Sequence, residues 1–284
     1  MIERLRTWAG FVRISHTVFA LPFALTGALL ASREHEVTWA HVGWILACMV
    51  FARSAAMGFN RLVDARYDAL NPRTAMRELP RGAMSTREAT AFVVVASVAF
   101  VFCASMIGPL TGWLSPVALA IVFWYSLAKR FTAYTQVFLG LAMAVAPVGG
   151  WLAAGGREGW TPWLLALAIG LWVGGFDILY ACQDVAFDRA HGLRSIPTRF
   201  GVPRALWISR AMHAGAVEAM AALAWVVPLG ATYLAGVGIV AALLVYEQSI
   251  VSADDLSQVK RAFDLNGYVG FLYLLTTAAA VYVG

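Results

Sequence analysis

Two short stretches concentrate the side chains able to do chemistry. The first, Asn60-Arg-Leu-Val-Asp64-Ala-Arg-Tyr-Asp68, spaces an amide and two carboxylates at i, i+4 and i+8. On a helix these three share one face over about 12 Å of axis. Like charges four residues apart repel, and a divalent cation turns that repulsion into a site. The second, Asp177-Ile-Leu-Tyr180-Ala-Cys-Gln-Asp184-Val-Ala-Phe-Asp188, places Asp177, Tyr180, Asp184 and Asp188 at i, i+3, i+7 and i+11, again one helical stripe. Carboxylates with an amide form the oxygen-donor set that Mg2+ prefers. That ion keeps several waters and bridges a few carboxylates to a substrate phosphate.

Basic residues crowd both stretches. Arg73, Arg77 and Arg81 follow the first, and Arg189, Arg194 and Arg199 follow the second. Arginine and lysine are the natural partners of the remaining phosphate oxygens. The chemistry suggested is therefore a metal–diphosphate site. The metal and cations would stabilise the charge that develops on the diphosphate as a carbon–oxygen bond breaks.

The elements that must position these residues are membrane helices. Of 284 residues, 61% are hydrophobic and only 13% are charged, with 21 Lys+Arg against 16 Asp+Glu. Soluble domains run at about 45–50% apolar and about 25% charged. The composition excludes disorder, a fibrous repeat and a nucleic-acid-binding arm, and points to an all-α, polytopic membrane protein. About nine apolar stretches are long enough to span: 11–32, 39–59, 90–107, 110–128, 135–154, 162–180, 205–227, 230–246 and 267–283. Gly108-Pro109 and Pro228-Leu229-Gly230 read as tight turns between neighbouring helices. The first apolar run is too long for a signal-peptide core and reads as an uncleaved helix. Cys48, Cys103 and Cys182 are far apart and offer no disulfide or zinc framework. Gly27, Gly140, Gly149 and Gly150 are expected to let helices pack closely.

Roughly 18 of the 21 basic residues fall on one set of alternate loops, which the positive-inside rule assigns to the cytoplasm. This expects an integral protein of the inner, cytoplasmic membrane, with its N-terminus and the acidic loops on the cytoplasmic side. Both acidic stretches lie at the inner end of an even-numbered helix. The chain then reads as one domain, residues 1–284, with pseudo-repeat halves of about 1–132 and 133–250 plus a final helix. Brought together, the two ends would face one another over an apolar interior. A substrate with a diphosphate head and a long lipid tail suits that shape. A cation- or proton-coupled secondary transporter is a reading of a different class. Against it, the acids cluster at a helix end rather than at the midplane where transporter sites lie.

At these residues the chain resembles the UbiA superfamily of intramembrane prenyltransferases. Asn60, Asp64 and Asp68 match its N-x-x-x-D-x-x-x-D motif. Asp177, Tyr180, Ala181, Asp184 and Asp188 match its D-x-x-Y-A-x-x-D-x-x-x-D motif. The likeness extends to Arg13-Ile-Ser-His16-Thr-Val-Phe-Ala-Leu-Pro22-Phe, to Lys129-Arg130-Phe-Thr132, and to Ala262-Phe263 with Asn266. It implies nine helices around a central cavity that opens sideways to lipid, and transfer of a polyprenyl group from polyprenyl diphosphate to an aromatic acceptor. It implies Mg2+ held by Asp64, Asp68, Asp184 and Asp188, and substrate contacts from Asn60, Arg73, Lys129, Tyr180 and Arg13. Asp64, Asp184 and Asp177 are the catalytic candidates, with Asp177 orienting or deprotonating the acceptor. The early block looks like the 4-hydroxybenzoate polyprenyltransferase-like branch of quinone biosynthesis. The alternative acceptor is a dihydroxynaphthoate-type ring, as in the futalosine route to menaquinone.

Overall fold

The computed structural model describes residues 7–8, 10–12 and 21–283. All regular structure among them is helical: α1 (Leu21–Ala31), α2 (Trp39–Leu70), α3 (Thr86–Ile107), α4 (Pro109–Ala128), α5 (Thr135–Ala153), α6 (Thr161–Ala181), α7 (Val185–Ala190), α8 (Ile196–Phe200), α9 (Val202–Val226), α10 (Gly230–Ser249) and α11 (Val259–Val283). Among the described residues, seven helices are long and apolar enough to cross a membrane, and α1 is a shorter apolar helix. The 25 residues of α9 are also long enough to span, but Arg204, Arg210, His213 and Glu218 make it less apolar. Together these fit the nine expected spans, and the protein is an integral, multi-pass membrane protein.

Local chemistry sets the boundaries. Gly108 ends α3 and Pro109 opens α4, where its missing N–H costs nothing. Ser85 and Glu88 form a reciprocal capping box at the start of α3, as Ser195 and Thr198 do before α8. Gly230, at φ 68°, supplies the left-handed residue that turns α9 back into α10.

Four helices outrun their apolar stretches at the same face of the bundle. The second continues past Phe59 to Leu70, and the third, ninth and eleventh begin at Thr86, Val202 and Val259. Hydropathy marks where the chain meets lipid, not where the helix stops. Trp39, Trp113, Trp160, Trp163 and Trp225 are exposed at helix ends on the opposite face, as an interfacial aromatic belt requires.

The core centres on α6, which packs against α5, α9 and α11. Small residues bring backbones together there. A Cβ on Gly140 would run into the carbonyl of Gly170, one on Gly150 into that of Ala24, and one on Gly27 into that of Pro147. Gly149 faces open space, so that glycine does not serve helix packing as expected. Several buried polar groups pair with one another. The Trp172 indole donates to Asn266 at 2.7 Å, Gln248 donates to Ser209 at 2.8 Å, and the Tyr233 and Tyr273 hydroxyls share a hydrogen bond of 2.7 Å.

Candidate active site

The first acidic stretch lies on the last turns of α2, where Asp64 is 4% exposed. Its carboxylate accepts from Lys129 Nζ at 2.6 Å and from Arg130 Nη2 at 2.9 Å. Both cations come from the segment just after α4. Arg130 also donates to the carbonyls of Val63 and Ser126, so the end of α4 is tied to the wall of α2. Both cations lie over the ring of Tyr67, at 5.9 and 5.6 Å. The Asn60 amide reaches Ser126 Oγ at 3.4 Å. One turn beyond Asp64, Asp68 takes both its oxygens' bonds from Arg77 Nη1, at 2.7 and 2.8 Å.

The second stretch is not the continuous stripe its spacing suggests. The α-helix stops at Ala181, a 3-10 turn covers Cys182–Asp184, and α7 carries Asp188. Three residues at about 120° each, instead of about 100°, turn the face by roughly 60°. Asp184 and Asp188 are therefore rotated away from the line through Asp177 and Tyr180.

Arg73 joins the two stretches. It leaves the segment after α2 and grips Asp184 side-on, with Nε–Oδ1 at 3.2 Å and Nη2–Oδ2 at 2.6 Å. Its Nη1 donates to the Tyr180 hydroxyl at 2.8 Å. Burial works to lower the pKa of this guanidinium, but the carboxylate of Asp184 and the Tyr180 oxygen outweigh it and hold the pKa above its ordinary value. Asp188 lies within electrostatic reach of Asp184, Lys129, Arg73 and Asp64. The ends of α2, α4 and α6 thus converge. Arg194 N–H donates to the Lys129 carbonyl at 2.8 Å, which stitches the second basic segment to the same place.

Asp177 sits deeper on α6, half-buried, within electrostatic reach of Asp184 and of Tyr125 on α4. Among the described residues no cation pairs with it. Beside it runs an aromatic wall. Tyr180 and Phe176 both contact Phe263, with centroids 4.8 and 5.6 Å apart, Phe176 contacts Trp172 at 5.3 Å, and Trp172 contacts Phe23 at 4.9 Å.

The structure therefore brings Asn60, Asp64, Asp68, Arg73, Lys129, Tyr180, Asp184 and Asp188 to one face, with Asp177 below them. Arg13, expected to contact substrate, lies outside the described residues, as does His16. Arg77 and Arg130 hold the acidic groups, and Ser126 accepts from the Asn60 amide, but none of the three had an assigned site role. The signal for Arg130 was its place beside Lys129. For Arg77 it was the basic segment that follows the first stretch.

Among the described residues no three His, Cys, Asp or Glu side chains form a ready metal cage. The donor set still fits Mg2+, which takes one or two carboxylates together with substrate phosphate rather than an all-protein cage.

The model of the UbiA prenyltransferase family matches residues 20–275. The chain belongs to that family and is a prenyltransferase. This removes the transporter reading. The enzyme is 33% identical to 4-hydroxybenzoate octaprenyltransferase of Citrobacter koseri over 246 residues, covering 85% of this chain and 84% of that one. It is 32% identical to the protein of the same name from Salmonella paratyphi C, over 83% of this chain and 82% of that one. A UbiA homologue from Aeropyrum pernix superposes with a TM-score of 0.84 at 36% identity, over 95% of this chain and 98% of that one. A UbiA homologue from Archaeoglobus fulgidus, bound to GPP and Mg2+, superposes at 0.74 with 20% identity, over 97% and 99% of the two chains. At that identity the likeness concerns the fold.

Proposed function

We propose that the enzyme transfers a polyprenyl group from polyprenyl diphosphate to the ring of a 4-hydroxybenzoate-like acceptor, a step of quinone biosynthesis. The observation that carries this is Arg73, from the segment after the first acidic stretch, bonded to Asp184 and Tyr180 of the second, which gathers carboxylates and cations of both stretches at one face. The acceptor class is supported by relatives named 4-hydroxybenzoate octaprenyltransferase at 32–33% identity. Asp64, Asp68, Asp184 and Asp188, with Asn60 beside them, would hold Mg2+. When bound, that ion supplies positive charge to the leaving diphosphate.

The chain's own residues do the rest. Arg73, Arg77, Lys129 and Arg130 turn their N–H groups from carboxylates to phosphate oxygens. They stabilise the negative charge that grows there as the allylic carbon–oxygen bond breaks and its electron pair leaves with the diphosphate. The faces of Tyr180 and Phe263, backed by the buried Phe176 and Trp172, shelter the allylic cation, whose charge favours aromatic π faces, and keep water from it. A ring carbon of the acceptor forms the new carbon–carbon bond. Asp177 then takes the proton that this carbon loses. Residues 1–284 act as one domain in which α2 and α6 hold matching places in the two halves. The excess of basic residues near the site supports a cytoplasmic orientation for it and for the N-terminus, in an inner membrane.

The test is an acceptor screen in membranes containing the enzyme, with a fixed polyprenyl diphosphate and Mg2+, read by mass spectrometry. Prenylated 4-hydroxybenzoate is the expected product. Product from a dihydroxynaphthoate alone would move the acceptor to the menaquinone class. No prenylated product from any aromatic acceptor would refute the reading.

A further inference from the structure

The segment from Asn71 to Met84 must aim two guanidiniums, yet it has no regular helix of its own. Its backbone is a run of turns: Arg77 N–H donates to Thr74, Arg81 to Arg77, and both Ala83 and Met84 to the Glu78 carbonyl. Gly82, at φ 73°, makes the return. The segment therefore closes on Glu78. The side chain of that residue points at α2, its carboxylate 3.8 Å from Arg61 Nη1.

Arg61 is 4% exposed and Glu78 13%. Arg61 follows Asn60 directly, so it lies about 100° around α2 from the face that carries Asn60, Asp64 and Asp68. The N-terminal segment leans on the same point, since a Cβ on Gly10 would stand 2.6 Å from Glu78 Oε1. Trp8, Phe11 and Val12 pack there with Leu62, Leu79, Met84 and Phe92. Next to Glu78 in the chain, Arg77 grips Asp68, and Arg73 grips Asp184 and Tyr180. Removing one member of the pair takes compensating charge away from the other in a shielded place, which is unfavourable. The pair thus resists any sliding of the segment along α2.

We propose that Arg61 and Glu78 are positioning residues: their buried ion pair registers the 71–84 segment against α2 and so aims Arg73 and Arg77 at the diphosphate site. This rests on the reading of that site given above, and the pair acts on substrate only through the two arginines.

The full-length enzyme, in detergent–lipid micelles, is compared as wild type, R61Q, E78Q and the swap R61E/E78R, in two ways. Hydrogen–deuterium exchange of peptides covering 71–84 reads the order of the segment. Steady-state transfer from polyprenyl diphosphate reads KM and kcat. Each neutral variant is expected to speed exchange of the segment about tenfold and to raise KM for the diphosphate more than it lowers kcat. The swap restores both. E78Q with wild-type exchange and wild-type KM overturns the proposal, as does a swap no better than the single variants. If the wild type transfers no prenyl group, the diphosphate reading falls and exchange alone decides: equal rates in wild type and E78Q then overturn the pair's role.

Discussion

Replacing Arg73 separates a structural role from a catalytic one. Its guanidinium makes three contacts, at 2.6 and 3.2 Å to Asp184 and 2.8 Å to Tyr180. A hydrogen bond to a charged group contributes about 1.5–3 kcal/mol when well shielded. Arg73, however, is 37% exposed, and solvent screening reduces its total contribution to stability to about 1–2 kcal/mol. The cost to turnover should be larger. Losing one preorganised donor to a developing anion slows a reaction by about 10²–10³, or roughly 2.7–4 kcal/mol. R73A is therefore expected to fold with a slightly lowered melting temperature while transfer falls by about 10²–10³. R73K keeps the charge but not the planar fork that spans two oxygens and a hydroxyl, and should lose about tenfold. The assay is single-turnover transfer of a radiolabelled prenyl group, paired with thermal unfolding in the same detergent. The reasoning fails if R73A retains turnover within about threefold of wild type, which is less than 1 kcal/mol. It also fails if R73K behaves as the wild type.

Asp64→Ala and Asp184→Ala should each abolish measurable transfer while the protein still folds by circular dichroism and gel filtration. Near-normal activity in either would dismiss those carboxylates as site groups. Chelation with EDTA should stop transfer, and added Mg2+ should restore it; transfer undiminished by the chelator would exclude a metal requirement. Gly150→Ala would drive a methyl group into the Ala24 carbonyl, where neither backbone can give way easily. It should cost about 1–3 kcal/mol of stability, seen as a lower thermal midpoint, while Gly149→Ala, facing open space, should leave the midpoint unchanged.

Much of the fold is legible in the amino-acid order because a bilayer imposes a local rule. Any helix crossing it must be apolar for about 20 residues, and every backbone group must be paired within the helix. The spans, the turns at Gly108-Pro109 and Pro228-Leu229-Gly230, and the shared face of Asn60, Asp64 and Asp68 follow from that rule and from the helical period. The helix ends on the acidic face do not. There α2, α3, α9 and α11 continue beyond their apolar stretches in more polar sequence, where hydropathy gives no signal. The 3-10 turn at Cys182–Asp184 is likewise invisible to a spacing argument, since i+7 and i+11 count residues on the assumption of one unbroken helix.

The residue types and their spacing alone determined that this is a multi-pass membrane chain with two acidic stretches and an excess of cations beside them; prenyl transfer entered through the likeness of those stretches to a family's motifs. Which cation serves which carboxylate was decided by tertiary structure. Arg73 and Asp184 are 111 positions apart, and Arg130 and Asp64 are 66 apart. No local period relates residues at such separations. They meet because small residues let α1, α5 and α6 approach closely and because the ends of α2, α4 and α6 come together at one face. Electrostatic pairing at about 3 Å depends on that packing to a fraction of an ångström, whereas the composition that places the chain in a membrane does not depend on it at all.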